Sequence, residues 1–382
     1  MFIFATNIRT KILKYLTKVC FVIALLANCG NLFATEDQII ENKALSNEHS
    51  NARIYRSPEE RREAGLGTAL TDWLKFSGLL EIEKEYFEDN FKNDKKIREY
   101  GDTTPALQFT FELSFTEWFG AELVYELEYD NNQKDGKWDE AFVFFDFENI
   151  GLGIEAGRVS APFGEYYSHF ITGPMLEFSE TIKNGVIVDY SIYEAFEFSL
   201  FVIDSDVEKQ NKSSEYDWGA LLEYVSNNEN IRFGLGYLSD LSESDERFLR
   251  DENYFYQERV SAWNAFVLFG FNKFEITTEI TQAANRFKEF DNQEDRPEAY
   301  NIEFAYFPNP NLQFAIRYEG SEEFSEEPGK QYGMNVTWRP AKRINLSLDY
   351  LHGEYKNNFV FDDDDNELND RDLVAVQFSI EF

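Results

Sequence analysis

Strict alternation of apolar and polar residues is the feature that most constrains how this chain can fold. The C-terminal stretch LVAVQFSIEF (373–382) has an apolar residue at every second position and ends on an aromatic one. The same alternation recurs in ALQFTFELSF (106–115), NLQFAIRY (311–318) and INLSLDY (344–350), among other stretches. A period of two predicts β-strands that have one apolar face and one hydrated face. The chain is therefore expected to be all-β.

Composition decides which kind of β-protein these strands build. Aromatic residues make up 17% of the chain, yet acidic residues outnumber basic ones by 71 to 36 and the mean hydropathy is -0.48. A soluble β-sandwich would turn its apolar faces inward. Apolar faces rich in aromatics, opposite strongly charged ones, favour a barrel whose outside meets lipid and whose inside meets water. The acidic balance also argues against a nucleic-acid partner, which needs a basic footprint.

The links between strands point to the same architecture. About sixteen strand candidates are present, and short links such as TEW (116–118), PNP (308–310) and RPA (339–341) alternate with long ones. The long links cover residues 87–102, 159–184, 204–215, 239–259, 283–297 and 352–371. Short turns on one side and long loops on the other are typical of outer-membrane barrels. The predicted fold is a transmembrane antiparallel β-barrel of about sixteen strands, with short periplasmic turns and long extracellular loops.

This fold predicts a location and a set of partners. We expect the protein in the cell outer membrane, in contact with outer-membrane lipid and lipopolysaccharide. The terminal Phe382 is similar to the C-terminal aromatic signal of bacterial outer-membrane proteins, so the barrel-assembly machinery is an expected partner. The oligomeric state stays open at this point.

The N-terminal part of the chain differs from the rest. A basic segment followed by the apolar run VCFVIALLA is typical of a secretory signal peptide, here predicted to span residues 1–34. The alternative interpretation is a lipoprotein signal that ends at Cys29. Residues 35–72 are polar, lack the period of two and are predicted to form a periplasmic lead-in. Residues 73–382 are predicted to form the barrel.

The longest link, residues 159–184, is the first candidate functional segment. It is rich in aromatic residues, whereas a loop that faces only water does not need them, and its Pro and Gly residues are typical of turns. We hypothesise that it folds into the barrel and constricts the lumen. The alternatives are a lid over the rim or a contact between subunits. The candidate constriction and ligand residues are Arg158, Pro162, Phe163, Gly164, Tyr166, Tyr167, His169, Phe170, Pro174 and Glu180.

Charged residues on the hydrated strand faces are the second candidate set. The candidates are Glu112, Glu122, Glu126, Glu197, Arg232, Glu275, Glu279, Glu303, Arg317 and Asp349. A ring of carboxylates raises the local concentration of cations and so selects for them. The alternative is a hydrated wall on which the carboxylates pair with arginines. Arg158, Arg232, Arg317 and Arg339 are predicted to point inward and to be those partners.

Residues for catalysis or for a bound metal are sparse. The chain has three histidines, and its two cysteines, Cys20 and Cys29, fall inside the predicted signal peptide. His169 follows Ser168, but neighbours in one loop rarely reach the geometry of a nucleophile and its base. FDDDDNE (361–367) lacks the glycine and the spacing of an EF-hand, so it is either a solvated acidic tip or a weak cation site. We expect no enzymatic activity, no cofactor and no resident metal.

Two stretches resemble a known family. SPEERREAGLGTALTDWLKFSGLLEIE (57–83) and AGRVSAPFGEYYSHFITGPMLEFSET (156–181) resemble segments of the LbtU-type siderophore porins of Gram-negative bacteria, the second through its Pro-Phe-Gly loop. The chain departs from that family where Gly173-Pro174-Met175 replaces the usual Asp-Pro-Leu. The resemblance implies an outer-membrane porin or receptor that mediates uptake of a ferric siderophore. A cation-preferring general diffusion porin is the alternative function, and an adhesive barrel is a third.

Overall fold

The computed structural model describes residues 68–382, except 131–132, 193–194, 208–215, 228–229, 245–255, 291–294, 325–326, 342, 358 and 363. The predicted signal peptide and all but the last residues of the predicted lead-in lie outside the described residues. Three short 3-10 turns occur, at Glu148–Ile150, Met175–Ser179 and Leu241–Glu243. In the part of the chain that the structure describes, no helix is long and apolar enough to cross a membrane.

The remaining regular structure consists of β-strands. In chain order they are β1 Thr68–Thr71, β2 Leu74–Phe91, β3 Lys96–Thr116, β4 Phe119–Asp130, β5 Gln133–Phe147, β6 Leu152–Ser160, β7 Ile182–Ile192, β8 Phe196–Asp204, β9 Tyr216–Val225, β10 Ile231–Leu238, β11 Ala262–Phe271, β12 Phe274–Ala283, β13 Glu298–Asn309, β14 Leu312–Glu322, β15 Lys330–Ala341, β16 Ile344–Glu354 and β17 Leu368–Glu381.

Strands β2 to β17 form a closed antiparallel barrel of sixteen strands. Each pairs with its neighbours in the sequence, and β17 pairs with β2 over a long register that includes Phe378 opposite Ile82. The terminal residue completes this seam, because Gly78 N donates to Phe382 O at 2.8 Å and Phe382 N donates to Gly78 O at 2.9 Å. The short β1 pairs only with the start of β2 among the strands whose register is described. The predicted barrel and its strand number are confirmed.

The two faces of the wall differ as the alternation predicts. On β13, Ile302 and Phe304 are 47% and 39% exposed, whereas the intervening Glu303 is fully buried. The outward face is apolar around the barrel and carries exposed aromatics near strand ends. Examples of these are Trp118, Tyr216, Tyr237, Tyr332, Trp338 and Tyr350. An apolar belt edged by aromatics on a closed sheet, which leaves no unpaired strand edge, is the form in which a β-protein spans an outer membrane.

The connections separate by length, but the first and last long loops are shorter than predicted. Turns such as 117–118, 272–273 and 310–311 lie at one end, and the loop 161–181 and the segment 239–244 that follows β10 begin at the other. The predicted link 87–102 is mostly strand, because β2 continues to Phe91 and β3 begins at Lys96. The predicted link 352–371 loses residues to β16 and β17 in the same way.

Cross-strand pairs explain why these hairpins extend beyond the apolar belt. Arg98 Nε donates to Glu88 Oε2 at 2.7 Å, and Arg371 binds Asp89 through two hydrogen bonds of 2.6 and 2.8 Å. Such pairs stabilise a ladder that has no apolar face to bury. Because polar strands of this kind lack the apolar period of two, their sequence predicts loops instead of strands.

Candidate functional site

The loop between β6 and β7, residues 161–181, lies inside the barrel against the inner faces of β10 to β16. Its first anchor is Glu279 on β12. Glu279 Oε1 accepts from Glu165 N and Oε2 accepts from Tyr166 N, both at 2.9 Å. A buried carboxylate thereby satisfies two loop amides that would otherwise be buried without partners.

The second anchor is Glu303 on β13. Glu303 Oε1 accepts from Ser168 Oγ at 2.7 Å, and Oε2 accepts from His169 N at 2.8 Å. The His169 ring lies between two carboxylates, with Nδ1 2.9 Å from Glu303 Oε2 and Nε2 3.1 Å from Glu275 Oε1. Burial by itself would lower the pKa of His169, but these two carboxylates raise it to about 9. The imidazole is therefore a cation at neutral pH.

Arg317 on β14 joins the wall to the loop. Its Nε donates to Glu303 Oε1 at 2.9 Å and its Nη1 donates to Glu319 Oε1 at 3.1 Å. Toward the loop, Nη1 donates to Gly173 O at 3.1 Å and Nη2 to Thr172 O at 2.8 Å. One guanidinium thus binds two wall carboxylates and also donates to two loop carbonyls, a use to which its fixed fork of donors is suited.

Two further carboxylates hold the remainder of the loop. Asp349 Oδ2 on β16 accepts from Ile171 N at 2.7 Å and from Thr172 N at 3.2 Å. Glu319 Oε2 accepts from Met175 N at 3.0 Å, at the start of the 3-10 turn. The anchors Glu279, Glu303, Glu319 and Asp349 are all buried. The loop is consequently fixed to one wall along most of its length.

Apolar packing and a close approach to a glycine also hold the internal loop in place. Phe163 is fully buried in a cluster inside the barrel that includes Leu176, Phe201 and Leu238. The backbone of Phe163 approaches β10 so closely that a Cβ on Gly236 would lie 1.9 Å from its carbonyl oxygen. A side chain at position 236 is therefore incompatible with this placement of the loop.

Most of the predicted loop residues take part in this arrangement. Tyr166, at a φ of 53°, shares a hydrogen bond of 3.1 Å between its hydroxyl and Ser179 Oγ. The ring of Tyr167 meets that of His169 edge-on at 5.0 Å. Pro162 and Gly164 flank Phe163 in the segment that follows β6, and Pro174 and Glu180 bound the 3-10 turn. Phe170 is buried.

The structure corrects the prediction that Arg158 points into the barrel. It pairs in register with Ala141 and with Asn184, which is exposed, while its neighbour Val159 is buried inside the barrel. Arg158 therefore lies on the outer face, where its Nε donates to Trp138 O and Asp139 O, each at 3.0 Å. Its predicted inward direction is wrong because the odd-numbered residues of β6 are the inward ones.

The predicted lumen charges divide into two groups. Glu275, Glu279, Glu303, Arg317 and Asp349 contact the internal loop, and Arg232 joins them through a bond of 2.8 Å from Nη1 to Glu165 Oε1. On the opposite side, Glu112 lies 3.3 Å from Lys75 Nζ and Glu126 lies 3.2 Å from Lys137 Nζ. Glu122 and Glu197 line an open cavity.

This acidic cavity has a volume of about 1290 Å³ and lies along β4 to β8, toward the end of the short turns. The carboxylates that line it are Glu122, Glu140, Asp146, Glu148, Glu155, Asp189 and Glu197. Among the described residues that line it there is no Lys, Arg or His. The internal loop is fixed to the other wall, so this is the side of the barrel that the loop leaves open.

Several functional residues were missed by the sequence analysis. Glu319 follows the predicted Arg317 by two positions, and Glu140, Glu155 and Asp189 lie at inward positions of β5, β6 and β7. Extending the alternation one step further along each strand would have found them, since inward residues recur at every second position.

Ser168 and His169 do not form a nucleophile and base. Ser168 Oγ donates to Glu303 and accepts from Phe170 N at 3.0 Å, and it also bonds Arg317. The His169 ring faces Glu275 and Glu303 instead. Both side chains therefore serve to hold the loop.

An acidic cluster elsewhere in the described residues is paired with protein cations. Asp217, Asp240 and Glu243 bring buried carboxylate oxygens within 4.8 Å of one another, but Arg259 Nε lies 2.5 Å from Asp217 and Lys183 Nζ lies 3.5 Å from Glu243.

Two carboxylates of the acidic FDDDDNE stretch (361–367) are paired with a lysine. Lys95 Nζ lies 2.7 Å from Asp362 and 3.2 Å from Asp364. The hydrogen bond from Lys95, supported by Asn366, lowers the pKa of Asp362. Lys95 is thus the cation that binds these two carboxylates.

Comparison with known proteins identifies the fold. No known protein family and no curated protein sequence matches the chain. The outer membrane channel DcaP of Acinetobacter baumannii superposes with a TM-score of 0.58 at 12% identity, over 83% of this chain and 100% of that one. The fold is that of the outer-membrane porins. The anion-selective porin from Comamonas acidovorans gives a TM-score of 0.60 at 10% identity, over 81% and 99% of the two chains.

A third porin structure shows a similar fold. Salmonella typhi OmpF, in its complex with daunomycin, superposes with a TM-score of 0.55 at 13% identity, over 81% of this chain and 98% of that one. At such identities the likeness concerns the fold alone. This barrel has its own distribution of charge, and that distribution is the basis for a functional proposal.

Proposed function

We propose that this porin-type barrel is a passive outer-membrane diffusion channel that prefers cations. The observation that carries the proposal is the acidic cavity, in which seven acidic side chains and no described basic side chain line about 1290 Å³ of space. The internal loop narrows the barrel from the opposite side. Solutes therefore pass beside carboxylates for much of the way.

The charge on the cavity wall determines the sign of the ion selectivity and its dependence on salt. Carboxylates on a low-dielectric wall raise the local concentration of cations and repel anions. At 0.1 M salt the Debye length is about 10 Å, so charges on the wall still act across a narrow pathway. At 1 M salt it falls to about 3 Å, and the preference is expected to weaken.

The test is a reversal-potential measurement on the purified protein in planar lipid bilayers under a KCl gradient. We expect a potential of the sign given by K⁺ permeation. Glu122→Gln combined with Glu197→Gln should lower the K⁺ to Cl⁻ permeability ratio roughly two- to fivefold. The matched control is Glu258→Gln combined with Glu354→Gln, which makes the same charge change outside the cavity and should leave the ratio unchanged. A chloride-selective wild-type channel would contradict the proposal.

Uptake of a ferric siderophore is the second candidate. It is supported by the resemblance of residues 156–181 to the siderophore porins, since this segment forms the internal loop. The acidic cavity favours a neutral or cationic ferric complex over an anionic one, because an anion would meet unfavourable potential throughout.

Two measurements separate the candidates. A siderophore channel should show saturable block of its ion current by a neutral ferric trihydroxamate, and deletion of residues 166–176 should abolish that block. A strain that lacks the gene should then lose growth on the same complex under iron starvation. Flux that rises linearly with concentration, with unchanged growth, would leave general cation diffusion as the function.

A further inference from the structure

A second, smaller cavity lies at the long-loop end of the barrel. Its volume is about 310 Å³. It is lined by residues 172–175, 177 and 178 of the internal loop, by the ends of β14 to β17, and by residues 324, 327 and 328 between β14 and β15. This volume is at the lower end of the range for small-molecule sites. The cavity is separate from the acidic cavity, with which it shares no lining residue.

One part of this second cavity, hereafter the mouth cavity, is apolar. The rings of Phe178 and Phe324 pack with centroids 4.8 Å apart, and Met175, Leu351 and Leu373 also line the space. An aromatic and aliphatic surface of this kind favours an apolar body, because burying that body removes it from water.

The polar lining is mainly acidic. Glu177, Glu319 and Glu327 line the cavity, and Arg371 is the basic residue among the described lining residues. Arg371 already binds Asp89 through two hydrogen bonds of 2.6 and 2.8 Å, so its charge is largely neutralised. Among the described residues that line the cavity, three are therefore acidic and one is basic.

Tyr355 adds a neutral polar group to the same lining. Its burial, reinforced by the charge of Glu327 and opposed by Arg371, raises its pKa to about 12. The phenol therefore stays protonated across the physiological range and offers a hydroxyl oxygen to a donor such as an ammonium group.

We propose that the mouth cavity binds a small organic cation that carries a primary ammonium group on an aromatic or aliphatic body. The ammonium group lies toward Glu177 and Glu327, and the apolar body packs against Phe178 and Phe324. This goes beyond a general preference for cations, because it adds a saturable site at the entrance with selectivity for the shape and charge of the solute.

Phenethylamine is a suitable probe, added to the long-loop side of single channels in a planar bilayer. We expect saturable block of the current, with little effect of 2-phenylethanol or phenylacetate at the same concentrations. Glu177→Gln and Glu327→Gln should each weaken the block roughly tenfold, as expected when a hydrogen bond to a charged group is lost. Glu258→Gln is the control, since this carboxylate is exposed at the same end but lines neither cavity.

Each outcome of these recordings either supports or overturns the proposed ammonium site. Equal block of the wild type and both variants, or equal block by 2-phenylethanol, would overturn the site. Reversal potentials recorded on the same channels report the cation preference separately. A cation-selective channel without block by phenethylamine therefore rejects this inference and retains the proposed function, whereas block in a channel without cation preference does the reverse.

Discussion

The guanidinium carbon of Arg317 lies 4.2 Å from the ring centroid of Phe170. Arg317 belongs to the barrel wall and Phe170 to the internal loop, and both are buried. The contact is a cation–π interaction in a dry setting, where such interactions are strongest. It lies at the centre of the network through which Glu303 and Glu319 hold the loop.

Replacing Arg317 tests this network. Arg317→Met keeps the apolar stem but leaves Glu303 and Glu319 buried without their common cation, so we expect a loss of roughly 3–5 kcal/mol in unfolding free energy. The released loop should raise the noise and mean value of the single-channel conductance. Arg339→Met is the control, because Arg339 also points inward but donates to Asn345 at the end of the short turns. Identical conductance traces for wild type and Arg317→Met would argue against this role.

His169 predicts a pH dependence. Its pKa is raised in the folded protein to about 9, so its contribution to stability is complete below its unfolded value of about 6.5 and is lost as pH rises through about 9. The shift corresponds to a contribution on the order of 3 kcal/mol. His169→Gln should therefore be less stable than wild type at pH 6, and the two should converge by pH 10.

The measurement for His169 is the unfolding temperature in detergent between pH 6 and pH 10, followed by tryptophan fluorescence. The difference between wild type and variant is the informative quantity, since lysines and tyrosines titrate in both. A constant difference across this range would show that His169 is not the titrating group.

Gly236 tests the placement of the loop. In Gly236→Val the new side chain must occupy the position of the Phe163 carbonyl, so the entry of the loop is displaced at a cost of about 1–3 kcal/mol. Gly270→Val is a matched control, because a Cβ at Gly270 meets nothing within 4 Å. We expect altered conductance and lower thermal stability only for the variant at position 236. Equal behaviour of the two variants would show that the loop does not need this close approach.

Phe382 tests the closing seam. Its ring lies 6.0 Å from that of Phe76, centroid to centroid, so Phe382→Ala should cost about 1 kcal/mol through the lost aromatic contact. If assembly factors read the terminal aromatic, the amount of folded barrel in the outer membrane should fall further than this loss explains. Phe378→Ala removes an outward aromatic from the same strand and keeps the terminal one. Equal yields of the two variants on gels that separate folded from heat-denatured barrel would exclude special recognition of the terminus.

The described strands match the predicted ones closely where they cross the apolar belt, because contact with lipid requires an apolar residue at every second position. β3 and β16, for example, contain the whole of the alternating stretches 106–115 and 344–350. Prediction was poorer where strands leave the apolar belt, as in the hairpin around residues 92–95, because cross-strand ion pairs such as Glu88 with Arg98 carry no periodic signal. The predicted inward direction of Arg158 was wrong for a related reason, because only its register with Ala141 shows on which face of β6 it lies.

The sequence by itself determined the barrel, because a wall between lipid and water requires apolar and polar residues at alternate positions, and this requirement is local. It also marked residues 159–184 as an unusual loop through their aromatic content. Only the tertiary structure decided where that loop lies, since its anchors Glu279, Glu303 and Asp349 are more than a hundred residues away in sequence. Carboxylates at inward positions look alike along the chain, and closure of the barrel alone determines which of them bind the loop and which line the pathway.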